Sequence, residues 1–326
     1  MHGRIFCAYY LSVADTRRTQ GCPCIYVTNI GDHHNGNIHS VTVYPISAKG
    51  NVAPLQFITG RNTGLTYPTD IAVDSFGNIY VADGGGSKNS GSVLVYAAGA
   101  TGNAAPIQET TGSNTGLQGP TGIGLDPGDG DIYVANGAGP GSQLPFTMTV
   151  YSANSNGNVA PIGTISGSNT QLSMPGPLAL DTSGNIYAPN GQGHSVTVYA
   201  AGAVGNASPV QNIAGSQTQL SFPSGVALDS SLNIYVTNVA LSSSIDVFGA
   251  GSTGNIAPTR TIQGGNTLLG GPEGIALDGS GNVYVSNVDT NEITVYASGA
   301  NGDVRPIRHL RGSNTDLRIP RGIAVR

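Results

Sequence analysis

Three observations in this chain predict an all-β fold, a six-bladed β-propeller with four antiparallel strands per blade. An Ile/Val-Tyr segment starts at Ile25, Ile79, Ile132, Ile186, Ile234 and Val283, so six copies follow one another at spacings of 54, 53, 54, 48 and 49 residues. A fixed period near 50 marks a solenoid or a propeller. Each copy holds four short strand-like runs, and the repeat shows no helical periodicity over ten residues. The runs are separated by Gly, Asn, Asp, Ser and Pro, which supply turn geometry that bulkier residues resist. Four antiparallel strands repeated radially make a propeller.

The fourth copy shows the elements most plainly. Its strands are expected at Leu178–Leu180, Ile186–Tyr187, Ser195–Tyr199 and Val210–Ile213, with a hairpin at Asp181-Thr182-Ser183-Gly184-Asn185. The second strands carry Tyr26, Tyr80, Tyr133, Tyr187, Tyr235 and Tyr284, and the third strands close on Tyr44, Tyr96, Tyr151, Tyr199, Phe248 and Tyr296. Since blades are covered on both faces by their neighbours, large flat side chains at equivalent positions are read as inter-blade core.

The termini complete the architecture. Residues 1–20 read as an irregular or signal-like segment: Ile5–Ala14 is apolar after Arg4, and Ser12-Val13-Ala14 has the small-x-small form of a cleavage site. The competing reading makes Leu11–Asp15 a degenerate first strand. Residues 21–326 form a single propeller domain. At the other end, Gly322–Val325 is a first strand with no blade behind it, while the blade starting at Ile25 lacks a first strand of its own. Lending one to the other closes the ring and pairs two otherwise open edges.

Composition bounds the setting. Glycine supplies 49 of 326 residues, about twice the usual ~7 %, and only 10 % of residues are charged against a usual ~25 %. This resembles secreted, turn-rich β proteins, so an extracellular or cell-envelope location and a monomer are expected. No apolar run approaches the ~18 residues of a membrane helix. Cys7, Cys22 and Cys24 are three in number and lack zinc-site spacing, leaving a disulfide or inert thiols open. Nine arginines against two aspartates occupy residues 1–18 and 305–326, leaving an acidic body within a net charge of −5. Ring closure turns these ends into a basic seam, whose arginines are expected to pair with neighbouring acids.

The pattern Pro272-Glu273-Gly274-Ile275-Ala276-Leu277-Asp278, followed by Gly281-Asn282-Val283-Tyr284-Val285, resembles the NHL-repeat propellers, in a Gly/Asn-rich bacterial-type variant. The resemblance runs from about residue 25 to the end. NHL repeats commonly carry an Arg before the third strand, where this chain has Ser40, Ser92, Ser195, Ser244 or Glu292. Some NHL propellers bind RNA over a basic face. With few aromatics to stack bases, nucleic acid is not the expected partner here.

Candidate ligand-binding residues follow from the repeat. Asn29, Asp83, Asn136, Asn190, Asn238 and Asn287 end the second strands, which would ring the channel mouth with oxygens, although such residues also commonly bond local backbone. Asp70 and Glu273 break the symmetry of the first strands; with Asp83 they are the metal candidates, and calcium is the ion such oxygens suit. The likeness is in kind to lactonase-type propellers that hold calcium with Glu, Asn and Asp. His39 and His194 sit in facing blades, too far apart to share a metal, and Asp32-His33-His34 reads as a solvated loop. Longer loops at Ile30–His39, Gly84–Ser90 and Gly137–Pro145 build up the rim of blades one to three.

No Ser/His/Asp or Cys/His constellation is present. The expectation is a non-catalytic binding or scaffold propeller that recognises a protein, glycan or small polar ligand through its loop-rich face, with no cofactor. The alternative is a calcium-assisted hydrolase, lactonase or lyase built on Asp70, Asp83 and Glu273.

Overall fold

The computed structural model describes residues 23–31, 38–85, 91–137, 145–240 and 242–326. The readings of residues 1–20, Cys7, Cys22, Asp32-His33-His34 and most of the three long loops lie outside these. The strands form six four-stranded antiparallel sheets. Blade 1 takes β24 (Pro320–Val325), β1 (Cys24–Asn29), β2 (Ser40–Pro45) and β3 (Gln56–Thr59). Blade 2 holds β4 (Pro68–Val73), β5 (Ile79–Asp83), β6 (Ser92–Tyr96) and β7 (Gln108–Thr111). Blade 3 holds β8 (Pro120–Leu125), β9 (Ile132–Asn136), β10 (Thr147–Tyr151) and β11 (Gly163–Ile165).

Blade 4 has β12 (Ala179–Leu180), β13 (Ile186–Asn190), β14 (Ser195–Tyr199) and β15 (Gln211–Ala214). Blade 5 has β16 (Pro223–Leu228), β17 (Ile234–Asn238), β18 (Ser244–Phe248) and β19 (Arg260–Gln263). Blade 6 has β20 (Pro272–Leu277), β21 (Val283–Asn287), β22 (Glu292–Tyr296) and β23 (Arg308–Leu310). The ring closes as expected: β24 pairs with β1 in the register Ile25 to Val325, Tyr26 to Ala324 and Val27 to Ile323. The first strands contact one another in the order β24, β4, β8, β12, β16, β20 and back to β24, so they wall the central channel.

Alternation along each strand sends one set of side chains toward each neighbouring blade. The core is therefore six inter-blade clusters; one joins Tyr26, Val41, Val43 and Ile58 of blade 1 to Ile71, Ile79, Val81, Leu94 and Tyr96 of blade 2. All twelve repeated aromatics are buried. The hydroxyls of Tyr44, Tyr96, Tyr151, Tyr199 and Tyr296 donate to the carbonyls of Thr315, Thr63, Thr115, Thr170 and Thr267, in the link leaving the preceding blade. Phe248 occupies the same position in blade 5 and leaves Thr218 without that bond.

The Gly-Asn pairs make a second connection. The side-chain carbonyls of Asn103, Asn158, Asn206, Asn255 and Asn51 accept the backbone N–H of Asn62, Asn114, Asn169, Gln217 and Asn314 at 2.7–2.8 Å. Asp303 does the same for Asn266 at 2.7 Å. Each clasp joins one blade to the link of the blade before it, and Asn51 makes it across the seam. Gly312, at φ 117°, shows why the link needs glycine: a β-carbon there would collide with the Asn51 side chain, and that φ is strained for any other residue. The adjoining glycines Gly50, Gly102, Gly157, Gly205, Gly254 and Gly302 bridge in parallel to the outer strand of the preceding blade and so cover its edge.

Two outcomes follow. Phe248→Tyr should supply the missing bond to the Thr218 carbonyl and raise stability by about 1 kcal/mol, read as a higher melting temperature. Asn51→Ala and Asn103→Ala should each cost ~1 kcal/mol, as loss of a cap does. A far larger loss for Asn51→Ala would show that the seam is held differently from the other interfaces.

Candidate functional site

The six residues that end the second strands do not line the channel mouth. Asn29, Asp83, Asn136, Asn190, Asn238 and Asn287 are all 0–1 % exposed. The side-chain oxygens of the five asparagines accept the backbone N–H of Arg318, Gln118, Ser173, Ser221 and Gly270 at 2.9–3.0 Å, holding the chain as it enters each first strand. Their amides donate to the third strand: to the hydroxyls of Thr42, Thr149, Thr197 and Thr294 at 3.0–3.1 Å, and to the Asp246 carboxylate at 2.8 Å.

Blade 2 shows the logic by its exception. Leu94 stands where the other third strands offer a side-chain oxygen, so an amide at position 83 would lack the acceptor that Thr42, Thr149, Thr197, Asp246 and Thr294 supply elsewhere. Asp83 requires only donors and receives the N–H groups of Thr66, Tyr67 and Gly85 at 2.7–3.1 Å, together with the Thr66 hydroxyl.

The mouth is lined instead from the first strands. In blades 1, 2, 3, 5 and 6 the first strand begins Pro-x and the pairing register slips there: Pro68 faces Asp83 while Asp70 faces Ala82, and Pro223 faces Asn238 while Gly225 faces Thr237; in blade 4 Pro175-Gly176 stands ahead of β12, with Pro175 bridging Asn190. A bulge of this kind re-aims the extra residue. Arg321, Thr69, Thr121, Gly176, Ser224 and Glu273, one from each blade in ring order, converge on a single cavity of about 550 Å³, part of it open solvent. Met174, Pro175, Pro177, Phe222 and Pro223 give it an apolar wall. Of this ring only Glu273 was among the sequence candidates. The signal available was the residue after each recurrent proline, which varies while its flanks repeat.

Arg321 donates to Glu273 at 2.7 Å across the seam, and its guanidinium lies 5.9 Å from the centre of the Tyr67 ring. Burial raises the Glu273 pKa and Asp289 adds to the rise, while Arg321 opposes both. The hydroxyls of Thr69, Thr121 and Ser224 donate at 2.6–2.9 Å to the carbonyls of Pro120, Pro175 and Pro272 in the next blade. With its single proton committed, each hydroxyl offers only lone pairs.

Asp70 lies behind this surface. Its place is taken by glycine in four other blades, where a β-carbon on Gly122, Gly225 or Gly274 would strike the neighbouring carbonyl. Gly322 packs directly on Asp70, whose Oδ2 accepts the Ile123 N–H at 2.8 Å. Burial pushes its carboxyl up to about 7. Asp70, Asp83 and Glu273 therefore do not form a common donor set for calcium: one is interred, one is saturated by donors, and one faces a guanidinium. Among the described residues no three His, Cys, Asp or Glu side chains are grouped to hold a metal ion.

The remaining sequence candidates serve the scaffold. His194 Nδ1 accepts the Phe222 N–H at 3.0 Å, bracing one wall of the mouth, and the His39 carbonyl accepts from Thr59. At the basic seam, Arg321 and Arg311 pair with Glu273 and Glu292, while Arg308 and Arg326 bond the backbone carbonyls of Ile46 and Ser75.

Comparison with known proteins agrees with this architecture. A family model described as a beta-propeller repeat matches residues 58–82. No curated protein matches the chain. Among solved structures, a Bacteroides caccae protein of unknown function superposes with a TM-score of 0.64 at 11 % identity, covering 93 % of this chain and 98 % of that one. The periplasmic gluconolactonase of Pseudomonas aeruginosa gives 0.58 at 17 % identity over 87 % and 82 %. The PQQ-bound aldose sugar dehydrogenase of Streptomyces coelicolor gives 0.55 at 16 % identity over 82 % and 86 %. At such identities the likeness is one of fold.

Asp70 has a pH signature. Its pKa is raised on folding, so the stabilisation is full below the unfolded value near 3.9 and is lost as pH climbs through about 7. Asp246, pushed up to about 6 by burial, acts in the same direction. Asp70→Asn keeps an acceptor for Ile123 and removes the titration. Urea unfolding should show the variant gaining on the wild type between pH 4 and pH 8 by roughly 2–4 kcal/mol, and a constant difference would contradict this.

Proposed function

We propose that this chain is a non-enzymatic binding propeller that holds a small, neutral, polyhydroxylated ligand at the mouth of its channel. The observation that carries this reading is the direction of the hydroxyl protons. Thr69, Thr121 and Ser224 spend theirs on neighbouring backbone, so the mouth presents acceptors and calls for a ligand rich in donors. Arg321 is already neutralised by Glu273, so an anion would have to displace that carboxylate, and a cation would have to displace the arginine. The Met174, Phe222 and proline wall suits the C–H face of a saturated ring.

The carboxylates expected to serve a calcium-assisted hydrolase are engaged with the scaffold, which favours binding over catalysis. The NHL likeness of the Pro-x-Gly-Ile-Ala-Leu-Asp repeat belongs to the same proposal. So does a monomer working outside the cytoplasm, on the strength of low charge and high glycine content.

Thermal unfolding in the presence of inositol, neutral mono- and disaccharides, gluconate and spermidine tests the reading. A ligand specific for the folded state adds about 2.7 kcal/mol of stability at one hundred times its Kd. Neutral polyols should raise the melting temperature of the wild type. Ser224→Ala and Glu273→Gln should weaken that effect at least tenfold. A shift confined to gluconate or spermidine, no shift with any probe, or turnover of a bound probe would each defeat the proposal.

A further inference from the structure

A second concavity lies at the opposite end of the strands, away from the channel mouth. It is a groove of about 1380 Å³, part of it open solvent, between blades 2 and 3. Its sides are the hairpins that join first to second strands in these blades, together with the start of β7. Two large apolar side chains stand in it unburied: Phe76 is 76 % exposed and Ile107 is 56 % exposed.

The same groove gathers unusual charge, because blade 3 departs from the repeat. In blades 2, 4, 5 and 6 the hairpin aspartate is answered by an asparagine four residues on, whose amide donates to it at 2.7–2.8 Å. Blade 3 carries Asp126-Pro127-Gly128-Asp129-Gly130-Asp131 instead, one residue longer and with an acid in the asparagine's place. Burial and the proximity of Asp129 and Asp126 raise the Asp131 pKa. None of the described residues that line the groove is basic, while Asp74, Asp126 and Asp129 all do so. Arg326 bonds the Ser75 carbonyl at the edge of the blade 2 hairpin.

An apolar anchor beside three carboxylates, none of them paired with a cation among the described residues, is half of a complementary pair. We propose that this groove docks an extended basic segment of a partner protein, which sets an apolar side chain against Phe76 and Ile107 and a lysine or arginine against Asp74, Asp126 and Asp129. Burying Phe76 and Ile107 supplies the non-directional attraction. The acidic lining selects the sign of the partner and speeds its approach. This site is independent of the ligand at the channel mouth.

A random dodecapeptide library selected on the intact protein tests the inference. Recovered peptides are measured by fluorescence anisotropy against wild type, Phe76→Ser and Asp126→Asn/Asp129→Asn. Both sites are at the surface, and circular-dichroism melts establish that the variants fold. Recovered sequences should combine Lys or Arg with an aliphatic or aromatic residue. Affinity should fall at least tenfold in each variant and fall again between 50 and 200 mM salt. Recovery of peptides without basic residues, equal binding to the variants, displacement by spermine alone with no effect of Phe76→Ser, or no recovery at all would overturn it.

Discussion

Between each pair of neighbouring blades, one short side chain reaches across and caps the turn that connects them. The oxygen comes from Asn51, Asn103, Asn158, Asn206, Asn255 or Asp303, and the N–H comes from the second residue of the link. The contact requires a glycine in the link, where any β-carbon would overlap the capping side chain. It also brings the link carbonyl within reach of the third-strand tyrosine of the next blade, in five of the six interfaces. Blade spacing, tyrosine orientation and covered outer edges thus share one dependency. The seam between blades 6 and 1 uses the same device, so closure makes the chain ends structurally equivalent to an ordinary interface.

Within this frame, repetition and variation divide the work. Residues that recur around the ring hold the blade: the paired aromatics in all six blades, and the strand-end asparagines and hairpin aspartates in five each. In blade 2 the strand-end residue and its third-strand neighbour change together, Asp83 beside Leu94. The residues that vary without such compensation face open space. The residues after the six recurrent prolines, Arg321, Thr69, Thr121, Gly176, Ser224 and Glu273, face one cavity, and the blade 3 hairpin presents Asp126 and Asp129 to another. A regular ring has thereby acquired two dissimilar ends.

The low charge content has a corollary in the interior. Asp70 and Asp246 are carboxylates enclosed by protein, each meeting N–H or O–H donors but no cation among the described residues. Such groups keep their protons well above the usual carboxylate range because burial penalises the charged form. Glu273 differs in having Arg321 beside it: burial raises its pKa as well, and the guanidinium opposes that rise.

The sequence by itself determined the fold, down to blade count, strand order and ring closure. Period, turn residues and paired aromatics are local patterns, and burial on both faces admits one arrangement of them. It also marked Glu273, because an acid where Gly, Ser or Thr is expected stands out in a repeat. It did not determine where the strand-end asparagines point, since an Asn at a strand end can face a channel or its own backbone. That choice was made by Thr42, Thr149, Thr197 and Thr294 on the adjacent strand, which offer acceptors only once the blade is assembled. The mouth itself was likewise decided in three dimensions: a bulge in five of the six first strands re-aims the residue after the proline, and six positions about 50 residues apart become neighbours only when the ring is closed.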